Sequence, residues 1–306
     1  MTLADAIAHY IDLNHAMGLR FHVDEAILKA FHRHAGAVDV AAVSSDIVGA
    51  FLQPRHRVTS TWHMKHRALR RFYQYGITRG IVAHSPVPPT VPRVTETFVP
   101  HIYSHEELRG LLAGVDVHQA RTRCTIAAPT LRVLLLLLYG TGLRLGEALA
   151  LRREDVDLRA GLILIREAKF YKSRQLPIGP HLTRVLGEYL DAAPADCGTL
   201  ASACFVTRQG RSLSHHTVRW NFVAVRKEVG VPGRLHDLRQ HTFAVHRLLA
   251  WYREGADVQR CLPHLSTYLG HARIACTQRY LTMIPELLEQ ASQRFETYAR
   301  GEAGHG

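Results

Sequence analysis

The sequence lacks the features of a disulfide-rich, zinc-binding or membrane protein. Its five cysteines are odd in number and include no Cys-x-x-Cys pair, which argues against a zinc finger and for a reducing compartment. The longest apolar run, from Val133 to Leu138, is far shorter than the roughly 20 residues that a membrane span needs. The first residues include acids where a signal peptide has basic residues. We therefore expect a cytoplasmic protein with no membrane partner.

Acidic residues are also scarce, and this balance points to a polyanionic partner. The 306 residues include 38 Lys and Arg against 26 Asp and Glu, which gives a net charge of +12 at pH 7. The 21 histidines can add positive charge next to a phosphate. Such a surplus of positive charge favours a nucleic acid over a neutral metabolite as the partner, but it does not indicate which reaction the protein catalyses.

Residues 1–85 show the apolar periodicity of consecutive short helices. The last of these, from about Ser60 to Tyr75, has an apolar face opposite a basic face. A charged helix face is usually only solvated, but no Asp or Glu occurs from Pro54 to Arg79, so we interpret this surface as a contact for DNA phosphates. Its proposed DNA-binding residues are Arg55, Arg57, Lys65, Arg67, Arg70 and Arg71.

Five prolines within residues 86–100 cannot continue a helix and predict an extended linker between two domains. Beyond it the pattern is mainly helical, with a capping box from Ser104 to Glu107. The pattern then predicts an apolar helix across Leu131–Tyr139 and another helix over Gly142–Leu151. Two β-type runs, Gly161–Glu167 and Gln175–Ile178, flank a polar turn and predict a hairpin, to which Asp155–Leu158 could add a third strand. The predicted fold class is mainly α with a small antiparallel β-sheet.

Several residues of the C-terminal part are candidates for chemistry because of their type and order. Arg144 follows a Gly-Thr-Gly turn, and taken alone it could equally be a structural partner of Glu147. Further along the chain come four more candidates: a lysine on the predicted hairpin turn, the segment His236-Asp-Leu-Arg239, a Leu-Gly-His ending at His271, and Tyr280.

With these motifs in this order, the chain resembles the tyrosine recombinases of the phage integrase family, in the compact two-domain form of the Xer and integron integrases. The resemblance covers both halves and is strongest from Leu134 to Leu281, with the segments TGLRLGEAL, EAKFYKSRQLPIG, HDLR and LGHARIACTQRY. It implies a helical (SAM-like) core-binding domain over residues 1–85 and a catalytic domain over residues 101–306. These domains would clamp a duplex that is cut through a covalent 3′-phosphotyrosyl intermediate.

The resemblance also implies a role for each motif residue. Tyr280 would be the nucleophile that stores the phosphoryl group as an ester. Arg144 and Arg239 would grip the phosphate oxygens through their fork-shaped donors, with Glu147 orienting Arg144. Lys169 would be the general acid for the leaving 5′-oxygen, although Lys172 is a rival.

The remaining assignments concern histidines and accessory contacts. His236 would be a base or hydrogen-bond partner of Tyr280, and His271 a second donor to the phosphate. Lys172 and Arg174 would be accessory DNA contacts. We expect His241 and His246 to be structural, and we expect no metal and no cofactor, because no carboxylate cluster has metal-ligand spacing.

Two departures from the family pattern affect these expectations. Gln240 separates Arg239 from His241-Thr-Phe243, where the family has no such residue. One extra residue turns an α-helix by about 100°, so either a π-bulge absorbs it or the arginine sits differently. The stretch from Trp251 to Ser266 is longer than in compact members, and we expect a surface loop there.

The assembly and the biological role are implied less directly. An amphipathic stripe from Ile284 to Tyr298 predicts a last helix that docks either on its own domain or on a neighbouring protomer. The resemblance favours the second arrangement, a tetrameric synapse of this protein or a related partner recombinase on double-stranded DNA with inverted-repeat core sites. The implied role is in a mobile element or in replicon resolution. The alternatives are a type IB topoisomerase-like strand cutter and a catalytically inert DNA-binding protein.

Overall fold

The computed structural model describes residues 1–19, 21–54, 58–92, 100–121, 124–166, 173–192, 202–271 and 273–281. The chain divides into two compact units, Met1–Phe98 and Val99–Gly306. Nothing in the described residues forms a helix long and apolar enough to cross a membrane.

The described part of the first unit is helical, and some of its helices begin at a capping side chain. The helices are α1 (Leu3–Ala16), α2 (His22–Ala35), α3 (Ser45–Leu52) and α4 (Ser60–Thr78), with a 3-10 turn at Val40–Ala42. Thr2 and Ser44 each accept a hydrogen bond from a backbone N–H of the first turn that follows, which satisfies a donor that the helix leaves open.

Helix α4 has the two faces that its sequence predicts. Trp62, Leu69, Phe72 and Tyr73 are buried in the core of the unit. Arg67, Arg70 and Arg71 are exposed. These basic side chains are therefore available to solvent on a helix that is fixed from the other side.

His66 belongs to the buried face of α4 and not to its basic surface. Its ring stacks on Trp62 at 5.1 Å, and its Nε2 lies 2.8 Å from the carbonyl oxygen of Pro88. This histidine is therefore not part of the charged surface, because its position on the helix points it at the core.

The second unit is mainly helical. Its helices are α5 (His105–Gln119), α6 (Ala128–Thr141), α7 (Leu145–Leu149), α8 (Pro180–Ala192), α9 (His215–Val229), α10 (Phe243–Arg253), α11 (Val258–Leu269) and α12 (Ala275–Gln278). The predicted capping box is present at the start of α5, where Ser104 and Glu107 exchange side-chain and backbone hydrogen bonds. The predicted helix over Ile284–Tyr298 lies outside the described residues.

Gly142 separates α6 from the residues that follow, so the helix predicted over Gly142–Leu151 is wrong in its start. Gly142 has a φ of 65°, a left-handed conformation that ends α6, and the next helix spans only Leu145–Leu149. A Cβ at Gly142 would lie 2.6 Å from Leu269 Cδ2. Glycine is therefore required there both by the turn and by close packing.

A three-stranded antiparallel sheet stands in the second unit as predicted. Its strands are β1 (Val156–Asp157), β2 (Leu162–Ile165) and β3 (Arg174–Pro177), in the order β1-β2-β3. Ile163 pairs with Leu176, and both side chains are buried. The predicted fold class, mainly α with a small antiparallel sheet, is confirmed, while the hairpin turn that carries the two lysines lies outside the described residues.

The turn that immediately precedes α10 is not α-helical. Residues Asp237–Thr242 form a π-helical turn that leads directly into α10. The surface loop expected between Trp251 and Ser266 is limited to residues 254–257, because α10 continues to Arg253 and α11 begins at Val258. Asp257 caps α11 through its carboxylate, and Pro263 lies inside that helix.

Candidate active site

Arg144 is held from two sides at the junction of α6 and α7. It is the residue before α7, in extended conformation. Its Nη1 donates to Glu147 Oε1 at 2.9 Å, and its Nη2 donates to the carbonyl oxygen of Gly270 at 2.9 Å. A Cβ on Gly270 would lie 3.3 Å from Arg144 Nη1, so the Leu-Gly-His segment needs a glycine to approach the guanidinium this closely.

Glu147 is shared by two arginines. Besides Arg144, it accepts two hydrogen bonds from Arg174, Nη1 to Oε1 at 3.2 Å and Nη2 to Oε2 at 3.1 Å. Burial on its own would raise the pKa of Glu147, but the hydrogen bonds from Arg174 and Arg144 lower it below its ordinary value. Glu147 is therefore an ionised anchor for both guanidiniums. Arg174, expected to contact DNA, is engaged with this carboxylate.

The second arginine reaches the same place because the π-helical turn absorbs the extra residue. Arg239 Nη1 donates to the carbonyl oxygen of Leu143 at 3.5 Å, next to Arg144. Burial, followed by the positive charge of Arg144, lowers the pKa of Arg239. Of the two conformations that Gln240 left open, the π-bulge is the one found. Two guanidiniums side by side favour an anion between them.

Tyr280 lies in this cluster and is almost fully buried, with 3% of its surface exposed. Its backbone N–H donates to the carbonyl of Thr277, so the tyrosine follows α12 directly. Burial raises the pKa of Tyr280 to about 12, while a hydrogen bond from Gln240 and the charge of Arg239 act in the opposite direction. The phenol is therefore protonated at neutral pH and needs positive charge and a base to react.

His271 is fixed at both ring nitrogens. Its Nε2 lies 2.7 Å from the amide nitrogen of Gln240, and its Nδ1 lies 2.8 Å from the hydroxyl oxygen of Thr277. Burial, followed by the charges of Arg144 and Arg239, lowers the pKa of His271. An amide nitrogen only donates, so Nε2 accepts and the proton of the neutral ring is on Nδ1.

Two histidines lie at the π-helical turn, and one of them contacts Tyr280. His241 contacts both His236, with ring centroids 5.0 Å apart, and Tyr280, with centroids 5.6 Å apart. Partial burial and the charge of Arg239 lower the pKa of each imidazole to about 4, so both are neutral at pH 7. His241, which we expected to be structural, thus belongs to the cluster, because the π-helical turn directs it at Tyr280.

Three of these side chains are of the types that bind metal ions. Ligand atoms of His236, Asp237 and His241 lie within 4.8 Å of one another. Asp237 is buried and accepts the backbone N–H of Arg234 at 2.9 Å, which ties it to the start of the turn. The expectation that the chemistry uses no metal stays a prediction.

Some of the other predicted residues lie within the part of the chain that the structure describes, and others lie outside it. In the first unit, Lys65 donates to the carbonyl of Phe51 at 3.1 Å and Arg71 pairs with Asp24 at 3.3 Å. Arg67 and Arg70 are exposed. Arg55, Arg57, Lys169 and Lys172 lie outside the described residues. In the second unit the structure brings together Arg144, Glu147, Arg174, His236, Arg239, His271 and Tyr280.

Two residues of the cluster could not be identified from sequence patterns. Thr277 is fully buried and bonded to His271, but a lone threonine carries no signal for this role. Gln240 is visible only as a departure from a spacing, and its contact with a histidine 31 positions away depends on the fold. A buried tyrosine beside two arginines and neutral imidazoles can form a covalent bond to a phosphate that the arginines hold.

Comparison with known proteins agrees with this arrangement. The Phage integrase family model matches residues 103–285. A putative integrase/recombinase, y4rB, of Sinorhizobium fredii is 33% identical over 306 residues, which cover 96% of this chain and 97% of the relative. The tyrosine recombinase XerA of Thermococcus kodakarensis is 31% identical over 207 residues, which cover 68% of this chain and 65% of the relative.

Solved structures share the fold at low sequence identity. The integrase of transposon Tn1549, in complex with a circular intermediate DNA, has a TM-score of 0.70 and 14% identity, covering 96% of this chain and 99% of that chain. A lambda integrase dimer bound to a COC′ core site has a TM-score of 0.68 and 16% identity, covering 92% of this chain and 77% of that chain. Together with the family match, these findings confirm the resemblance read from the motifs. The chain belongs to the phage integrase family and is a tyrosine-type site-specific recombinase.

Proposed function

We propose that this recombinase cuts and rejoins double-stranded DNA through a covalent 3′-phosphotyrosyl bond to Tyr280, in the service of a mobile element or of replicon resolution. The observation that carries the proposal is that Tyr280 is buried beside Arg239 and two histidines, with Arg144 fixed next to them. The similarity to a putative integrase/recombinase over nearly the whole chain supports the assignment.

In the proposed step, Tyr280 Oη attacks the phosphorus of one DNA strand and the bond from phosphorus to the 5′-oxygen breaks. The 3′-phosphate becomes a tyrosine ester, and Lys169 gives a proton to the leaving 5′-oxygen. Arg144 and Arg239 bind the equatorial oxygens, whose negative charge grows in the transition state. Because the ester keeps the phosphoryl group, the 5′-hydroxyl of another strand can attack it and release Tyr280.

The phenolic proton of Tyr280 passes to the histidine pair. His241 contacts the tyrosine ring, His236 contacts His241, and both are neutral at pH 7 and able to accept a proton. The negative charge of a bound phosphate raises the pKa of each imidazole, which makes both better bases in the DNA complex. The same charge favours protonation of His271, which we propose as a second donor to the phosphate.

The first unit supplies sequence-independent affinity for the duplex. Arg67 and Arg70 are exposed on α4, in a part of the sequence with no acidic residue from Pro54 to Arg79. Each phosphate that such a side chain neutralises releases counterions, so binding depends steeply on salt. We place Arg55, Arg57, Lys65 and Arg71 on the same surface, and Lys172 and Arg174 at the edge of the active site.

The proposed assembly is a tetramer of this protein, or of this protein and a related recombinase, on two duplexes that carry inverted repeats. Sheared DNA from the region around the gene provides the probe. The full chain is incubated with it, the reaction is stopped with detergent, and DNA that stays attached to protein is recovered and sequenced. We expect fragments with a common inverted repeat, and none with Tyr280→Phe, which retains DNA binding.

The other functions would give different products in the same experiment. Relaxation of a supercoiled plasmid that carries two recovered sites, without recombinant products, would indicate a topoisomerase. Tight binding with no attached DNA from any fragment would indicate an inert DNA-binding protein. Recombinant plasmids that form equally well in EDTA are the result expected for chemistry without a divalent metal.

The general acid is tested with a substrate whose leaving 5′-oxygen is replaced by sulfur. A thiol has a pKa of about 8.5, so a thiolate leaves without a donated proton. We expect Lys169→Ala to be slow on the oxygen substrate and close to the wild-type rate on the sulfur substrate. Lys172→Ala is the matched control, whose rate ratio for the two substrates stays that of the wild type. Rescue of Lys172→Ala instead would assign the acid to Lys172.

A further inference from the structure

Gln240 is the residue that has no counterpart in the motif pattern of the family, and the structure accommodates it without displacing its neighbours. The π-helical turn Asp237–Thr242 takes up the extra residue. Arg239 therefore stays next to Leu143 and Arg144, while Phe243 remains buried and stacked on Tyr268 at 5.6 Å. The turn thus leaves the core and the second arginine in place and adds one side chain between them.

The added side chain faces the active site and not solvent. The amide nitrogen of Gln240 lies 2.7 Å from His271 Nε2. Gln240 also favours the ionised phenol of Tyr280, whose ring centroid lies 6.4 Å from that of His271. A carboxamide NH2 group has two N–H donors, so it can serve the imidazole and the phenolic oxygen together.

These contacts belong to a chain of hydrogen bonds that leads to Tyr280. His271 Nδ1 donates to Thr277 Oγ1 at 2.8 Å, and the backbone of Thr277 in turn accepts from the N–H of Tyr280 at 3.0 Å. The chain therefore runs from Gln240 through His271 and Thr277 to the backbone of Tyr280. Each member is half-buried or buried, so water competes weakly for the donors.

We infer that Gln240 is a positioning residue for the nucleophile, which holds Tyr280 against His271 and stabilises the phenolate through its amide N–H. The inference rests on the proposed role of Tyr280. A neutral donor suits this position, because His271 already lies near the charges of Arg144 and Arg239, so a lysine or arginine would add repulsion, while a carboxylate would repel the phenolate.

The test compares Gln240→Met, which keeps the shape but has no N–H, with Gln240→Glu, which adds a negative charge. Single-turnover attachment to a nicked duplex that carries the recovered site is measured from pH 6 to pH 10, together with DNA affinity. For Gln240→Met we expect about a tenfold lower rate at pH 7.5, the effect of one hydrogen bond to a developing charge, with unchanged DNA affinity. The deficit persists to pH 10, because the pKa of Tyr280 near 12 keeps the phenol protonated over this range. Gln240→Glu is expected to be slower still.

Gln259→Ala is the matched control, since Gln259 is an exposed glutamine on α11. Thermal unfolding of each variant checks that the chain is folded. If Gln240→Met keeps the wild-type rate, or if Gln240→Glu, which has the same shape, does so, the positioning role is overturned while Tyr280 keeps its own. If the wild type itself attaches to no DNA, the proposed function fails and this inference fails with it.

Discussion

The carboxylate of Glu147 is the common anchor of two arginines, and its removal should destabilise the catalytic unit. Glu147→Gln keeps the shape of the side chain but removes its charge. The carboxylate accepts from Arg144 Nη1 at 2.9 Å, from the Arg144 backbone N–H at 3.0 Å and from Arg174 at 3.1 and 3.2 Å. The Glu147 side chain is only 8% exposed, so these bonds form largely out of water.

The size of the effect follows from burial. Removal of one partner from a fully buried ion pair costs about 3–5 kcal/mol. The arginine side chains are 31% and 18% exposed, so water replaces part of the lost interaction. We therefore expect the free energy of unfolding of Glu147→Gln to fall by about 2–3 kcal/mol. For a unit of this size that is a fall of about 5–10 °C in the melting temperature of the catalytic unit.

Scanning calorimetry of the full chain measures this difference. Glu188→Gln is the matched control, because Glu188 pairs with Arg184 on α8 and both side chains are about 60% exposed, at 62% and 60%. Such a pair contributes less than about 1 kcal/mol. If Glu147→Gln unfolds within about 0.5 kcal/mol of the control, the shared anchor does not stabilise the unit and the reasoning is wrong.

Acid titration provides a second check on the same residue. The folded-state pKa of Glu147 lies below its ordinary value of 4.5, so its contribution is complete above that pH and is lost as the pH falls through the lowered value. The difference in unfolding free energy between wild type and Glu147→Gln should therefore shrink below pH 4.5. A difference that grows on acidification would contradict the assigned direction.

Three further predictions concern other parts of the chain. Arg67→Gln and Arg70→Gln should each reduce the slope of log affinity against log salt by about 1 in a DNA-binding titration, and an unchanged slope would remove that arginine from the phosphate contacts. Burial lowers the pKa of His246 from 6.5 to about 4, so the unfolded chain binds more protons and stability falls as the pH drops below 6.5. His246→Gln should weaken this fall in urea unfolding, whereas an identical pH dependence would contradict the assignment. Gly142→Ala should cost more than Gly255→Ala by about 1–3 kcal/mol, because both have positive φ but only Gly142 meets neighbouring side chains, and equal losses would contradict the packing argument.

Patterns along the sequence predicted the elements that local chemistry determines. The capping box at Ser104, the hairpin of β2 and β3 and the two faces of α4 each depend on residues close in the chain. The helix predicted from Gly142 was too long. Gly142 ends α6, and the sequence alone does not show whether a glycine ends one helix or begins the next. The loop expected between Trp251 and Ser266 is shorter than predicted, because α11 tolerates Pro263 within a helix packed on the core.

The active site was predictable in its residue types but not in its contacts. The order of Arg144, Arg239, His271 and Tyr280 identified the chemistry, since each side chain follows a recognisable local motif. The contact of Arg174 with Glu147 and those of Thr277 and Gln240 with His271 depend on how distant segments close around them. Arg174 illustrates the limit, because the family resemblance implied a DNA contact for it and only the fold brings it to Glu147.

The central claim is that Tyr280 becomes covalently bonded to DNA. The most direct measurement is mass spectrometry of the protein attached to its recovered site, after nuclease and tryptic digestion. Tyr280 begins the tryptic peptide Tyr280–Arg294, whereas Tyr268 lies in the peptide Cys261–Arg273. The account predicts a nucleotide remnant on Tyr280 in the first peptide. A remnant on Tyr268, or on any other side chain, would contradict it.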